Sequence, residues 1–149
     1  MKLFSNLEKN IRMEQTFALI KPFAYQNNLA GPILNQVNAA GFRLSAIKSV
    51  WLSRREAGEL YAVHKDRTFF NELVEYMISG PILVMILEKD NAIEDFRNLM
   101  GLTDPREAGA GTIRRLYGRN KQQNAVHGSD SPQTAKMECD LFFSQLERF

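Results

Sequence analysis

Seven consecutive apolar residues, Pro81 to Leu87, constrain this 149-residue chain more than any other stretch. The run is far short of the ~20 residues that a membrane-crossing helix needs, so it predicts a strand buried on both faces or nearly so. Phe17 to Ile20 is a second, shorter run of the same kind, closed by Lys21-Pro22. A fold built on such strands needs helices to cover them, and the sequence supplies these at intervals. Gly31-Pro32 opens one, with Ile33, Leu34, Val37 and Ala40 at helical spacing and Gly41 as its stop. Phe42 to Leu52 is rich in alternating β-branched and aromatic residues and predicts a strand.

Ser53 is placed to cap a short helix to about Tyr61. A further helix follows Asp66, with Phe69, Phe70, Leu73, Val74 and Met77 on one face. Asp90 is read as the cap of a helix striped by Ile93, Phe96 and Met100, with Arg97 at the margin of the stripe. Ser131-Pro132 starts the last helix, its apolar line running through Ala135, Cys139, Phe142 and Leu146. The order is β-α-β-αα-β-α-loop-short β-α. The strand from Phe42 follows its helix too closely, and is too two-faced, for a parallel doubly wound sheet. The pattern predicts an α/β (α+β) domain: a split β-α-β, ferredoxin-like sandwich, its four-stranded antiparallel sheet covered by helices. Length predicts one domain, residues 14–149, after an extension at 1–13 with a small apolar cluster of Leu3, Phe4 and Leu7.

Composition narrows the function. The single cysteine, Cys139, cannot form an internal disulfide, and no Cys/His spacing suggests zinc. The first thirteen residues lack the apolar core of a signal peptide, so the expectation is a cytoplasmic protein with no membrane partner. Net charge is only +2, yet Arg97 to Lys121 carries six cations against Asp104 and Glu107, a local +4 that leaves −2 for the rest. From Gly101 to Asn124 there is no clear periodicity, and glycines recur at 101, 109, 111 and 118. A loop of that length in a small domain is usually functional, and its charge suits an anionic ligand.

His127 follows this loop within Asn124-Ala125-Val126-His127-Gly128-Ser129-Asp130-Ser131, whereas His64, in a charged stretch, is read as a surface residue. Neutral imidazole is a competent nucleophile at pH 7, and beside arginines its natural reaction is phosphoryl transfer, which depends on positioning and cationic charge. No Walker-type or dinucleotide-binding glycine motif is present, so side chains must hold the phosphates: Lys21, Arg97 and Arg114 are the candidates.

The histidine segment resembles the active-site motif of the nucleoside diphosphate kinases. Matching segments follow in family order: Ala18-Leu19-Ile20-Lys21-Pro22, Tyr61, Lys65-Asp66-Arg67 before Phe69-Phe70, and Ser79-Gly80-Pro81. Then come the Arg97 helix, Gly101-Leu102-Thr103-Asp104-Pro105 and Gly111-Thr112-Ile113-Arg114. The resemblance runs from about Gln15 to Phe143. It implies ping-pong transfer of the γ-phosphate of ATP or another nucleoside triphosphate to a nucleoside diphosphate. His127 would be the nucleophile, Glu138 the group that orients it, and Lys21 and Tyr61 the groups that reach the transferred phosphate. Arg97, Thr103 and Arg114 would clamp phosphate, Asn124 would contact the ribose, and Phe69 would stack on the base. Mg²⁺ would arrive on the nucleotide phosphates, with Asp130 at most a water-mediated partner. The resemblance also implies a homo-oligomer, a tetramer or hexamer built on a common dimer.

The chain departs from the family pattern at four places. Phe23 stands where the family usually has Asp, and Arg115-Leu116-Tyr117 where a small residue, Asp and an aromatic are usual. Lys121 replaces an apolar residue beside the base, and Gln123 replaces a charged one. Because Arg115, Arg119 and Lys121 lie outside the matched clamp, a rival reading is a catalytically weak family member whose basic loop binds nucleic acid or a protein.

Overall fold

The computed structural model describes residues 13–149, so the apolar cluster expected at Leu3, Phe4 and Leu7 lies outside the described residues. Four strands form one sheet: β1 (Glu14–Ile20), β2 (Arg43–Val50), β3 (Ile82–Lys89) and β4 (Val126–Gly128), ordered β2-β3-β1-β4. Every neighbouring pair is antiparallel. Side chains alternate across a strand, and here the alternation separates two cores. Phe17, Leu19, Ile82, Val84 and Ile86 face one side of the sheet, while Ala18, Ile20, Leu83, Met85 and Leu87 face the other. The apolar run at 82–87 is therefore buried throughout because helices cover both faces.

The first face packs against α3 (Arg54–Leu60), α4 (Phe70–Met77) and α7 (Pro132–Phe142), through Leu60, Leu73, Met77, Cys139 and Phe142. The opposite face packs against α1 (Pro22–Gln26), α2 (Ala30–Ala39), α5 (Ala92–Met100) and α6 (Ile113–Tyr117), through Ala24, Ile33, Val37, Phe96 and Ile113. Each fully buried Leu, Ile or Phe contributes roughly 1.5–3 kcal/mol, so these two layers dominate the stability. Phe17 and Phe142 stack at 4.9 Å between centroids, which seats α7 directly on β1.

Several local expectations are met and others are corrected. Ser53 caps α3 in a full capping box with Glu56. The α5 cap is Asn91 rather than Asp90; its amide turns to Glu94 Oε2 at 3.1 Å instead of capping a backbone N–H. The α2 helix starts at Ala30, one residue before Gly31-Pro32, because Leu29 is already helical. The last helix stops at Phe142, and Leu146, expected on its apolar line, is 90% exposed beyond it. Two short helices, α1 and α6, have too few turns to show a period in the sequence.

Candidate active site

The strand β4 sets the position of His127. It pairs with the edge of β1 through Ala18↔Gly128, Leu19↔His127 and Ile20↔Val126. Val126 thus joins the core beneath α5, and His127 falls on the same side as Phe17 and Tyr61. A Cβ at Gly128 would come within 2.7 Å of Phe96 and 2.9 Å of Met100, so only glycine lets the strand lie this close to α5. Ala125, just before the strand, has φ 78°, a backbone conformation that strains a non-glycine residue. Its carbonyl receives the Lys21 N–H at 2.8 Å, which holds the turn against β1.

The helix α7 brings Glu138 to the histidine. Ser131 caps it, with Thr134 returning the hydrogen bond in a capping box and Pro132 in the first turn. Glu138 then lies on the buried side beside Ala135, Cys139 and Phe142 and is 4% exposed. Its Oε2 is 2.7 Å from His127 Nε2, and its Oε1 receives the Ser129 hydroxyl at 2.7 Å. An ionised carboxylate can only accept, so Nε2 carries the proton and Nδ1 keeps its lone pair. Sequence reasoning gave Ser129 no role. Its signal was its place in the histidine motif, two residues beyond the imidazole on the same face of the strand.

Tyr61 approaches the imidazole edge-on at 5.6 Å and directs its hydroxyl to Met77 Sδ at 3.7 Å. Burial, reinforced by the charge of Glu138, pushes its phenol well above the ordinary range, so it stays a neutral donor. Lys21 is buried, its Nζ 3.3 Å from the Gln122 carbonyl. Burial first, and the Arg114 charge second, bring its ammonium down to about 7. Arg114 donates to the carbonyls of Gly101 at 3.0 Å and Val126 at 3.1 Å, while its Nε is buried without a partner. Burial, with repulsion from Arg97, lowers it to about 10, which leaves it cationic at neutral pH.

Arg97, Thr103 and Arg114 line one open cleft of about 390 Å³ with Gly101 and Thr112. Gly101 has φ +83°, and a Cβ there would meet the Thr112 side chain at 2.6 Å, so this wall needs glycine. Asn124 donates to the Thr103 carbonyl at 3.0 Å, and its buried Oδ1 has no partner. Contacts thus link Lys21, Tyr61, Thr103, Arg114, Asn124, His127 and Glu138 into one neighbourhood with Arg97. Phe69 and Asp130 stand outside that net. Phe69 precedes α4, is 44% exposed, and has the ring of His64 5.4 Å away, so His64 is half-buried rather than free at the surface. Asp130 accepts the Thr134 hydroxyl at 2.7 Å.

Among the described residues no cluster of His, Cys, Asp or Glu could hold a metal ion. A cavity of about 530 Å³ beside Glu88, Cys139 and Arg148 is larger than the cleft but lies away from His127 and mixes both charges. Burial pushes the Cys139 thiol up to about 12, so it is no nucleophile. The arrangement sets a lone-pair nitrogen, fixed by a carboxylate, near a buried Lys21, a half-buried Arg114 and an exposed Arg97, charges of the sign that transfer of an anionic group requires.

Residues 14–148 match the family model for nucleoside diphosphate kinase. The nucleoside diphosphate kinase of Chloroherpeton thalassium is 51% identical over 135 residues, covering 91% of this chain and 96% of that protein. That of Geobacter sulfurreducens is also 51% identical, covering 91% and 98%. Among solved structures, the Aquifex aeolicus nucleoside diphosphate kinase superposes with a TM-score of 0.90 at 40% identity, covering 92% of this chain and 99% of that one. A halophilic nucleoside diphosphate kinase from Halobacterium salinarum, solved in complex with CDP, gives 0.89 at 36% identity, covering 92% and 91%. A family model matched from residue 14 to 148, relatives half identical over nine-tenths of the chain and the same fold in solved structures leave one assignment: the chain belongs to the nucleoside diphosphate kinase family.

Proposed function

We propose that this chain carries out the family reaction, transfer of the γ-phosphate of a nucleoside triphosphate to a nucleoside diphosphate, through a phosphohistidine on His127. The carrying observation is the 2.7 Å contact that commits His127 Nε2 to Glu138 and leaves Nδ1 as the nucleophile. In the first half-reaction the Nδ1 lone pair attacks the γ-phosphorus, the bond to the β-γ bridging oxygen breaks, and the nucleoside diphosphate leaves. In the second, a terminal β-phosphate oxygen of the acceptor attacks the same phosphorus and the Nδ1–P bond breaks. Glu138 stabilises the imidazolium character that develops as the bond forms.

Arg97, Arg114 and Lys21 supply the charge that phosphoryl transfer needs, and the neutral Tyr61 hydroxyl is a donor to the moving group. Thr103 completes the phosphate clamp. The free Oδ1 of Asn124 suits a ribose hydroxyl, which can donate to it. Phe69 is the stacking plate for the base; stacking discriminates little among bases and suits broad nucleotide use. Among the described residues the arginine-lined cleft offers Mg²⁺ no carboxylate ligand of its own, so the ion would enter on the nucleotide phosphates, with Asp130 reaching it at most through water.

Residues 14–149 are taken as the kinase domain and 1–13 as an extension; the span of the family match supports this division. A homo-oligomer of dimers, tetramer or hexamer, is supported by the family and by exposed Ile47 and Trp51 on and after the edge strand β2. Light scattering separates the two sizes. No helix among the described residues is long and apolar enough to cross a membrane, and the proposed site of action is the cytoplasm.

The test incubates the protein and a His127→Ala variant with γ-labelled ATP and Mg²⁺, then adds a different nucleoside diphosphate. The expected result is an acid-labile phosphoprotein that discharges onto the acceptor and is absent from the variant. Absence of label on folded wild-type protein would overturn the assignment.

A further inference from the structure

The unusual Phe23 and the unassigned Arg119 meet: the Arg119 guanidinium lies over the Phe23 ring, 5.2 Å from its centroid. Phe23 is the second residue of α1, two residues after Lys21, and its N–H donates to the Tyr76 hydroxyl of α4 at 3.1 Å. Arg119 begins a tight turn in which its own N–H donates to the Gln123 carbonyl at 2.8 Å. Asn120 Oδ1 receives the N–H groups of Gln122 and Gln123 at 3.1 and 2.8 Å. The next residue is Asn124, and the turn carries Lys121 at the expected base position.

We propose that Phe23 and Arg119 are a positioning pair that holds the 119–123 turn, and with it Asn124, in register with the nucleotide. The inference rests on reading the cleft as the nucleotide site. Two contacts tie this turn to the start of α1: the Arg119–Phe23 stack and the bond from Lys21 Nζ to the Gln122 carbonyl. When Lys21 Nζ turns to a phosphate the second is given up, and the stack is then the side-chain contact that joins α1 to the turn, beside the backbone bond from the Lys21 N–H to the Ala125 carbonyl. Arg115, four residues earlier, is directed elsewhere, its Nη1 donating to the Arg106 carbonyl at 2.8 Å. The pair also places Arg119, part of the charge that suggested a nucleic-acid surface, in contact with the chain's own aromatic ring.

The full-length protein is tested with Phe23→Ala, Arg119→Met, the double variant and Phe23→Tyr. A guanidinium–ring contact at an accessible site corresponds to about two- to five-fold in an equilibrium constant. Each single variant is expected to raise the KM for the nucleotide by about that factor with kcat at saturation retained. The double variant should be no worse than either single one, and Phe23→Tyr should restore the wild-type KM. Unchanged KM, multiplying effects, or a fall in kcat at constant KM would overturn the pairing. Arg119 is exposed, so Arg119→Met carries the test if Phe23→Ala fails to fold. Labelling of His127 at saturating ATP is read in parallel: its absence from wild-type protein refutes the site reading, whereas labelling with an unchanged KM in the variants refutes only the pair.

Discussion

Ser129 gives its hydroxyl proton to Glu138 Oε1 at 2.7 Å, so the carboxylate that faces His127 is itself fixed from behind. The same serine oxygen receives the Phe17 N–H at 3.1 Å, which ties this arrangement into β1. The imidazole, the carboxylate and the hydroxyl form one line from the cleft to the sheet.

Glu138→Ala is expected to lower kcat by roughly 10-fold at least and up to about 10⁴-fold, the range seen when carboxylates that fix a metal-bound or a catalytic histidine are removed. KM should change little, because Glu138 is buried behind the ring. Glu138→Gln keeps an acceptor for Nε2–H and should retain more activity than the alanine variant. Steady-state kinetics on both variants check this, and a loss confined to KM would contradict it.

Ser129→Ala tests stability more than rate. It leaves the buried Glu138 Oε1 and the Phe17 N–H without their partner, a cost of about 1–3 kcal/mol. At roughly 2–4 °C of melting temperature per kcal/mol for a chain of this size, calorimetry at fixed protein concentration resolves the change.

Lys21 makes nucleotide binding depend on pH. In the free protein its ammonium titrates at about 7, and an arriving phosphate favours the charged form. Binding at pH 8 should therefore take up a proton, and affinity should fall as pH rises through 7. Titration calorimetry in two buffers of different ionisation enthalpy counts that proton. Between about 7 and 10.5 the unfolded lysine holds a proton that the folded one lacks, so stability rises with pH in that window. The stabilisation gained by Lys21→Met should accordingly be greatest below pH 7 and shrink towards pH 10.5.

Gly128→Ala drives a methyl group into Phe96 and Met100, and overpacking of this kind costs about 1–3 kcal/mol. The strand must shift to relieve it and takes His127 along, so kcat should fall as well. Phe96→Leu in the same chain makes room and should restore part of both losses.

The sequence made the strands and most helices legible because apolar runs and caps report burial directly. The run at 82–87 is too short for a helix of ordinary length and reads as strand, and Ser53 and Ser131 stand at their helix starts as expected, each closing a capping box. Elements of five residues, α1 and α6, escaped because a period needs two turns to register. Leu146 misled because helical spacing continues past Phe142, where Phe143 turns the backbone to the extended region. Motif matching picked out the residues around His127, but not the hydroxyl of Ser129 behind Glu138 or the Gln122 carbonyl beside Lys21. The second joins residues 101 apart and depends on loop path, and the first, though it spans only nine residues, depends on how α7 turns back over β4.

The three-residue strand that carries His127 works by odd and even. Its neighbours Val126 and Gly128 point into the core under α5, and His127 alone points the other way. Losing or gaining one residue between Ala125 and His127 would turn the imidazole in among Phe96 and Met100 and present an alkyl group to the cleft. Upstream, the stretch between Thr103 and Thr112 crosses no sheet and imposes no such alternation, whereas the last few residues before the histidine do. An insertion in that stretch of this chain thus leaves the imidazole facing the same way, provided that the number of steps from the kink at Ala125 to the nucleophile stays at two.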